Sequence, residues 1–184
     1  MKILGICGSL RKASYNRGLL EAAREQAPDG VTIEIADLRD IPFFDQDVEA
    51  GGDPAPVEAL KERIRAADAV LIATPEYDWG VPGVLKNALD WVSRPAGRSA
   101  LKQKPLAMFG ASDGPWGTTR AQLQLRQTLT YMDVLTLPSP WVYVASAKEK
   151  FDAAGKLTDE KTREQVNGLV TALVAWTERV APRA

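Results

Sequence analysis

Met1-Lys2-Ile3-Leu4-Gly5-Ile6-Cys7-Gly8-Ser9-Leu10-Arg11-Lys12-Ala13-Ser14-Tyr15-Asn16 opens the chain with an apolar run, a polar turn and a helix start. Ile3–Cys7 is almost continuously apolar, as a strand covered by helices on both faces must be. The same succession recurs at Ala69–Thr74 and at Leu106–Gly110, and Val31–Ile35 and Trp141–Ala145 bring the expected strands to five. Helix-period segments lie between them, at Asn16–Gln26, Pro56–Ala66, Pro82–Val92 and Arg120–Met132, with a last helix over Asp159–Val180. Pro82 sits where proline opens a helix and Pro95 follows the helix end. Thr158 offers a capping hydroxyl, and Asp159 and Glu160 place carboxylates at the positive end of the last helix. Asp45–Pro56 reads as loop. Strands alternating with helices give an α/β fold with a parallel sheet, and five strands fit the order 2-1-3-4-5. In that order strands 1 and 3 diverge, and ligands bind beyond their carboxyl ends. Function is therefore sought in the loops after strands 1 and 3, with the strand 4 loop alongside.

The 184 residues show no repeat, low-complexity segment or long linker, so residues 1–184 are expected to form one domain. There is no histidine and one cysteine. That excludes a Ser-His-Asp triad, a Cys-His pair, an ordinary zinc site and an internal disulfide. A lone thiol suits a reducing cytoplasm. The net charge of −1 argues against a general nucleic-acid surface. It conceals an asymmetry. Glu34–Glu58 holds eight acidic residues and one arginine, whereas Arg94–Arg126 holds six basic residues and one aspartate. These runs are either two differently solvated faces or, for the basic one, a means of drawing in anionic substrates. The start reads as a buried strand and not as an export signal, and no apolar stretch is long enough to span a membrane.

In the loop after strand 1, Ser9, Ser14 and Asn16 are short donors, and Arg11 can add a charged fork. The following helix offers free N–H groups and its positive end, which suits a phosphate; an ordinary Ser/Asn cap with solvated Arg and Lys is the alternative. A GxxxxGK[ST] loop would need glycine where Leu10 or Ala13 stands, and a cysteine phosphatase would need arginine at Ala13. Cys7 reads as a small buried hydrophobe. The loop is suited to holding a phosphate, not to transferring one. After strand 3, Thr74-Pro75-Glu76-Tyr77-Asp78-Trp79-Gly80-Val81-Pro82-Gly83 combines a restricted backbone with two aromatic surfaces. That combination suits a planar heterocycle, although aromatics packed on the domain surface would read alike.

GSLRKASYN (8–16) followed by TPEYDWGVPGVLKNALDW (74–91) resembles the NAD(P)H-dependent FMN reductase family, including its chromate- and quinone-reducing members. Gly110–Gly114, Arg120–Gln122, Gln124–Gln127 and Phe151–Asp159 extend the resemblance over almost the whole chain. It implies a flavodoxin-like three-layer αβα sandwich with non-covalent FMN. By the same resemblance, Ser9, Arg11, Ser14 and Asn16 hold the 5′-phosphate. Pro75, Glu76, Tyr77 and Asp78 line the isoalloxazine and ribityl chain, and Ser112 and Gly114 close the site from the strand 4 loop. No side chain need be catalytic and no metal is needed, since flavin N5 carries the hydride from NADPH or NADH to a quinone, azo or nitro compound, chromate or flavin in a ping-pong scheme. The family's members are dimers or tetramers, with the helix after the PEY motif near the interface; the apolar face and Trp91 of that helix fit burial there or in the core equally. Arg94, Arg98, Lys102 and Arg120 are candidates for steering anionic substrates or NADPH phosphates, with plain surface solvation as the alternative.

Three positions depart from the family pattern: Asp78 for the usual Asn, a bulky Trp79 that narrows the nicotinamide approach, and Gly117-Thr118 for Gly-Gly. The rival readings are a flavodoxin-type FMN electron carrier that does not oxidise NAD(P)H, and a flavin-free binding module on the same scaffold. Near-neutral charge favours the reductase over the strongly acidic carriers.

Overall fold

The computed structural model describes residues 1–180. The strands are β1 (Lys2–Cys7), β2 (Thr32–Ala36), β3 (Ala69–Ala73), β4 (Pro105–Ala111), β5 (Leu135–Thr136) and β6 (Val142–Val144). The helices are α1 (Tyr15–Glu25), α2 (Gln46–Ala50), α3 (Ala55–Ala66), α4 (Gly83–Val92), α5 (Thr119–Tyr131) and α6 (Glu160–Val180). The pairs are all parallel and the order is β2-β1-β3-β4-β5, with β6 also on β4.

Strand residues alternate between two cores because the side-chain period of a strand is two. Ile3, Leu71, Ala73, Ala107 and Phe109 meet Leu19, Leu20 and Ala23 of α1 and Val166, Leu169, Val170 and Leu173 of α6. Leu4, Ile6, Val70, Ile72, Leu106 and Met108 meet Leu60 and Ile64 of α3, Leu85 and Leu89 of α4, and Leu125 and Leu129 of α5. The three-layer αβα sandwich follows from that division, and the expected sheet order holds.

Three expectations need correction. The fifth position in the sheet is two short strands, not one. β5 pairs with Pro105 and Leu106, and β6 pairs with Phe109 to Ala111. Between them lie Pro138 and Pro140, which have no N–H to donate to the ladder. Part of Asp45–Pro56 is helical: the Asp45 carboxylate accepts from the Asp47 N–H at 2.8 Å and opens α2. The last helix is capped by Asp159, whose Oδ2 accepts from the Thr162 N–H and hydroxyl at 2.8 and 2.6 Å. Those bonds hold the Asp159 carboxyl below the usual range, while the Thr158 hydroxyl donates to the Lys150 carbonyl.

Trp91 is buried inside this chain: its Nε1–H donates to the Pro42 carbonyl at 2.8 Å and its ring meets Phe44 edge-on. The basic run is likewise tied down. Arg94 donates from Nε to both Glu49 oxygens at 2.8 and 3.0 Å, which joins the two charged runs in one ion pair. Lys104 donates to the Ala67 carbonyl, and Arg126 donates to the Leu137 carbonyl and stacks on Trp141. No helix among the described residues is long and apolar enough to cross a membrane.

Candidate active site

Beyond the carboxyl ends of β1, β3 and β4 lies an open cavity of about 340 Å³. All ten residues expected from sequence line it: Ser9, Arg11, Ser14 and Asn16; Pro75, Glu76, Tyr77 and Asp78; Ser112 and Gly114. Tyr15, Ala111 and Asp113 line it too without being singled out by the sequence, as do Gly117, marked there only as a departure in the strand 4 loop, and Trp79 and Arg120, marked only for approach and steering. Arg94, Arg98 and Lys102 are not among its lining.

At the β1 end the donors can be counted. The Ser9 hydroxyl oxygen accepts from the Arg11 N–H at 3.4 Å, and the Ser14 oxygen caps α1 by accepting from the Arg17 N–H at 3.3 Å. Both hydroxyls can turn a proton towards a ligand, and that of Ser14 also lies within hydrogen-bonding reach of the Cys7 thiol. The main-chain N–H groups of Tyr15 and Asn16, first in the helix, have no partner among the described residues. Arg11 lies over the Tyr15 ring at 5.2 Å, which in turn packs on Phe151. Asn16 is buried and differently employed. Its amide N–H donates to the Ala111 carbonyl at 2.9 Å, and its carbonyl accepts from the Ala111 N–H at 3.0 Å, tying α1 to β4. One amide proton of Asn16 is left for the cavity. Cys7, just before the loop, is buried, and burial raises its thiol pKa, so it is no nucleophile.

The β3 loop forms a two-residue hairpin. Tyr77 N–H donates to the Gly80 carbonyl at 3.2 Å and Gly80 N–H returns to the Tyr77 carbonyl at 2.8 Å. Asp78 and Trp79 occupy the central positions with φ of 48° and 63°. This left-handed pair suits Asn-Gly best, so Asp78 is a tolerated substitute for the usual Asn. Trp79 is not: a left-handed backbone costs such a residue about 1–2 kcal/mol. Arg120 lies over the indole at 4.6 Å.

Glu76 anchors this loop to α5. Thr118 gives α5 no side-chain cap. Instead the Glu76 carboxylate accepts from the N–H groups of Arg120 and Ala121 at 2.9 and 3.0 Å, and from Arg120 Nε at 2.6 Å. Its side chain is 6% exposed. Gln124 adds a second tie, accepting from the Val81 N–H at 2.8 Å. The loop also needs Gly110: a Cβ there would collide with the Thr74 carbonyl and the Thr118 hydroxyl. On the β4 side, the Ser112 hydroxyl donates to the Gly117 carbonyl at 2.5 Å, and Asp113 accepts from the Lys148 N–H at 2.6 Å, closing that wall.

A polar, cationic end facing a flat, strained turn makes a site for an elongated anionic molecule with a planar head. The sequence matches the NADPH-dependent FMN reductase family over residues 1–149. It is 49% identical to an NAD(P)H-dependent FMN reductase of Pseudomonas aeruginosa, over 98% of this chain and 97% of that one. It is 42% identical to an NAD(P)H:quinone oxidoreductase of Solanum tuberosum, over 95% and 92% of the two chains. FerB, a flavoenzyme NAD(P)H:(acceptor) oxidoreductase from Paracoccus denitrificans, superposes with a TM-score of 0.87 at 36% identity, over 97% of each chain. With a family match over most of its length and relatives aligned end to end, the chain belongs to the NADPH-dependent FMN reductases.

Proposed function

We propose that the described residues work as one FMN-binding domain, in which NAD(P)H is oxidised and a small acceptor is reduced at the cavity. The observation that carries this is the cavity's polarity. FMN needs phosphate donors at one end and a flat, polar-edged slot at the other, and the donor count above supplies the first. Ser9, Ser14 and Asn16 give one proton each to the phosphate, Arg11 gives a charged fork, and the Tyr15 and Asn16 main-chain N–H groups complete the cradle. Pro75, Tyr77 and Asp78 border the ring and ribityl chain. Glu76 shapes the slot by fixing the loop to α5, and Ser112 and Gly114 close it. The volume is in the range of small-molecule sites.

Bound there, FMN supplies the hydride exchange, taking reducing equivalents from NAD(P)H and passing them to the acceptor. The protein binds and orients. With no histidine and a buried thiol, its own side chains offer little acid–base or nucleophilic chemistry of their own. Tyr77 and Trp79 line the cavity and are exposed, and NAD(P)H and acceptor meet the flavin there in turn, a ping-pong arrangement. Quinones, azo and nitro compounds, chromate and free flavin fit an open mouth. The exposed apolar residues Phe43, Val48, Leu123 and Tyr131 offer surface for a second copy, in keeping with a homodimer or homotetramer. A single, reduced cysteine suits the cytoplasm.

The decisive measurement is anaerobic addition of NADPH to the yellow, FMN-loaded protein. The flavin absorbance is expected to bleach within minutes; a stable yellow solution would leave only an electron carrier. Arg11→Ala tests the phosphate end. It is expected to weaken FMN binding by about 1.5–3 kcal/mol, the scale of a charged hydrogen bond. An unchanged dissociation constant in a fluorescence titration would move the phosphate elsewhere.

A further inference from the structure

The turn at Asp78–Trp79 would close more easily with glycine second, and nothing in the hairpin's own hydrogen bonds needs an indole. Yet tryptophan stands there at φ 63° and is 73% exposed at the cavity rim. It is not loose. Arg120 covers one face at 4.6 Å, and Arg120 is held by Glu76 through Nε and through its own main-chain N–H. A cost in backbone strain combined with a side chain clamped from below marks a position kept for what the side chain does.

The geometry points to Trp79 as the residue that selects planar, electron-poor aromatic acceptors over non-aromatic oxidants, with Arg120 and Glu76 as its positioning residues. This rests on the reading of the cavity as the FMN and acceptor site. The exposed indole face is electron-rich and flat, and its ring can stack against a quinone ring entering the mouth. The guanidinium beside it is one-third exposed and paired with the Glu76 carboxylate, which cancels part of its pull on acceptors that carry negative charge. An inorganic complex ion can use the charge but not the indole.

The test uses the FMN-loaded protein and two anionic acceptors, the flat 1,4-naphthoquinone-2-sulfonate and the non-aromatic ferricyanide, and compares their kcat/KM ratio in each variant with that of the unsubstituted protein, in which Arg120 is the same. Trp79→Leu is expected to lower the ratio of kcat/KM values, quinone over ferricyanide, by about tenfold, through KM, while Trp79→Phe retains most of it. Without reductant, isothermal titration of the oxidised protein is expected to show the naphthoquinone sulfonate binding about tenfold more weakly to Trp79→Leu. Trp116→Leu, at an equally exposed tryptophan that does not line the cavity, is expected to leave both values in place. FMN titration of each protein accompanies the assay. FMN bound normally with an unchanged ratio and an unchanged quinone affinity overturns the assignment of Trp79. A wild-type protein that takes up no FMN overturns the reading on which it rests.

Discussion

Glu76→Gln is expected to lower the stability of the fold by about 3 kcal/mol and to weaken FMN binding about tenfold. The carboxylate is nearly buried and accepts two main-chain N–H groups and the Nε–H of Arg120, with a second guanidinium nitrogen in contact. All of these are donors. Glutamine has the same size but a single acceptor oxygen, and its NH2 must face either the guanidinium or the free N–H groups of α5. One set of buried donors is then left unsatisfied, and the negative charge opposite the positive end of α5 is gone. Because Arg120 remains partly exposed, the cost falls at the lower end of that for breaking a buried ion pair. The cofactor effect follows from position. Without the anchor, the β3 loop and α5 are joined chiefly through Gln124, and the slot between them loses its fixed width. Urea unfolding and a flavin titration on the same preparation measure both. A stability change below about 0.5 kcal/mol would show that the anchor is dispensable.

How far the sequence reveals this molecule depends on how local each signal is. β1, β3 and β4 are legible because strands covered on both faces are written as unbroken apolar runs. Their order then places the site, since the loops at the point where β1 and β3 diverge are the ones that face a ligand. Eight of the ten expected residues follow β1 or β3 and reach the cavity for that reason, whereas Ser112 and Gly114, implied by the family resemblance, reach it from the loop after β4. The fifth sheet position is not legible as two pieces, because Pro138 and Pro140 act on a ladder whose other rail, β4, is distant in sequence. α2 is too short for a periodic pattern. Within the site, residue identity shows membership but not employment. Glu76 reads as a cavity-lining polar residue, whereas its carboxylate is occupied by the start of a helix 44 residues on. Nothing local marks it, since Thr118 looks like an ordinary cap for α5. The strain at Trp79 is equally silent in one dimension, as it exists only once Tyr77 and Gly80 close their pair of bonds.

Asn16 shows the same gap between membership and employment, and its substitution tests it most severely. Phe109 accepts from the Thr74 N–H at 3.0 Å, so the N–H and carbonyl of Ala111 face the same side of β4. There β3 has ended and Pro75 has no N–H to offer. The Asn16 amide takes the missing strand's place, one donor and one acceptor set against the Ala111 main chain. Asn16→Asp keeps the shape and the acceptor but loses the donor, and at neutral pH it aims a buried carboxylate at the Ala111 carbonyl. The expected cost is about 3–4 kcal/mol at pH 7, against about 2 kcal/mol for Asn16→Ala, which removes the bonds without adding charge. The pH dependence separates the two. Protonation restores the donor, so the substituted carboxyl titrates in the folded state above its unfolded value of about 3.9. Between those values the folded chain holds the extra proton, and stability falls as pH rises. The deficit of Asn16→Asp should therefore shrink as pH drops from 7 towards 4, while that of Asn16→Ala stays level. At pH 7 the added charge also faces the phosphate cradle, and FMN binding is expected to fall by 100-fold or more, about 2.7 kcal/mol. Urea midpoints at several pH values, with flavin titrations at pH 7, decide the matter. A deficit that grows on acidification would mean that Asn16 is not the residue completing the β4 edge.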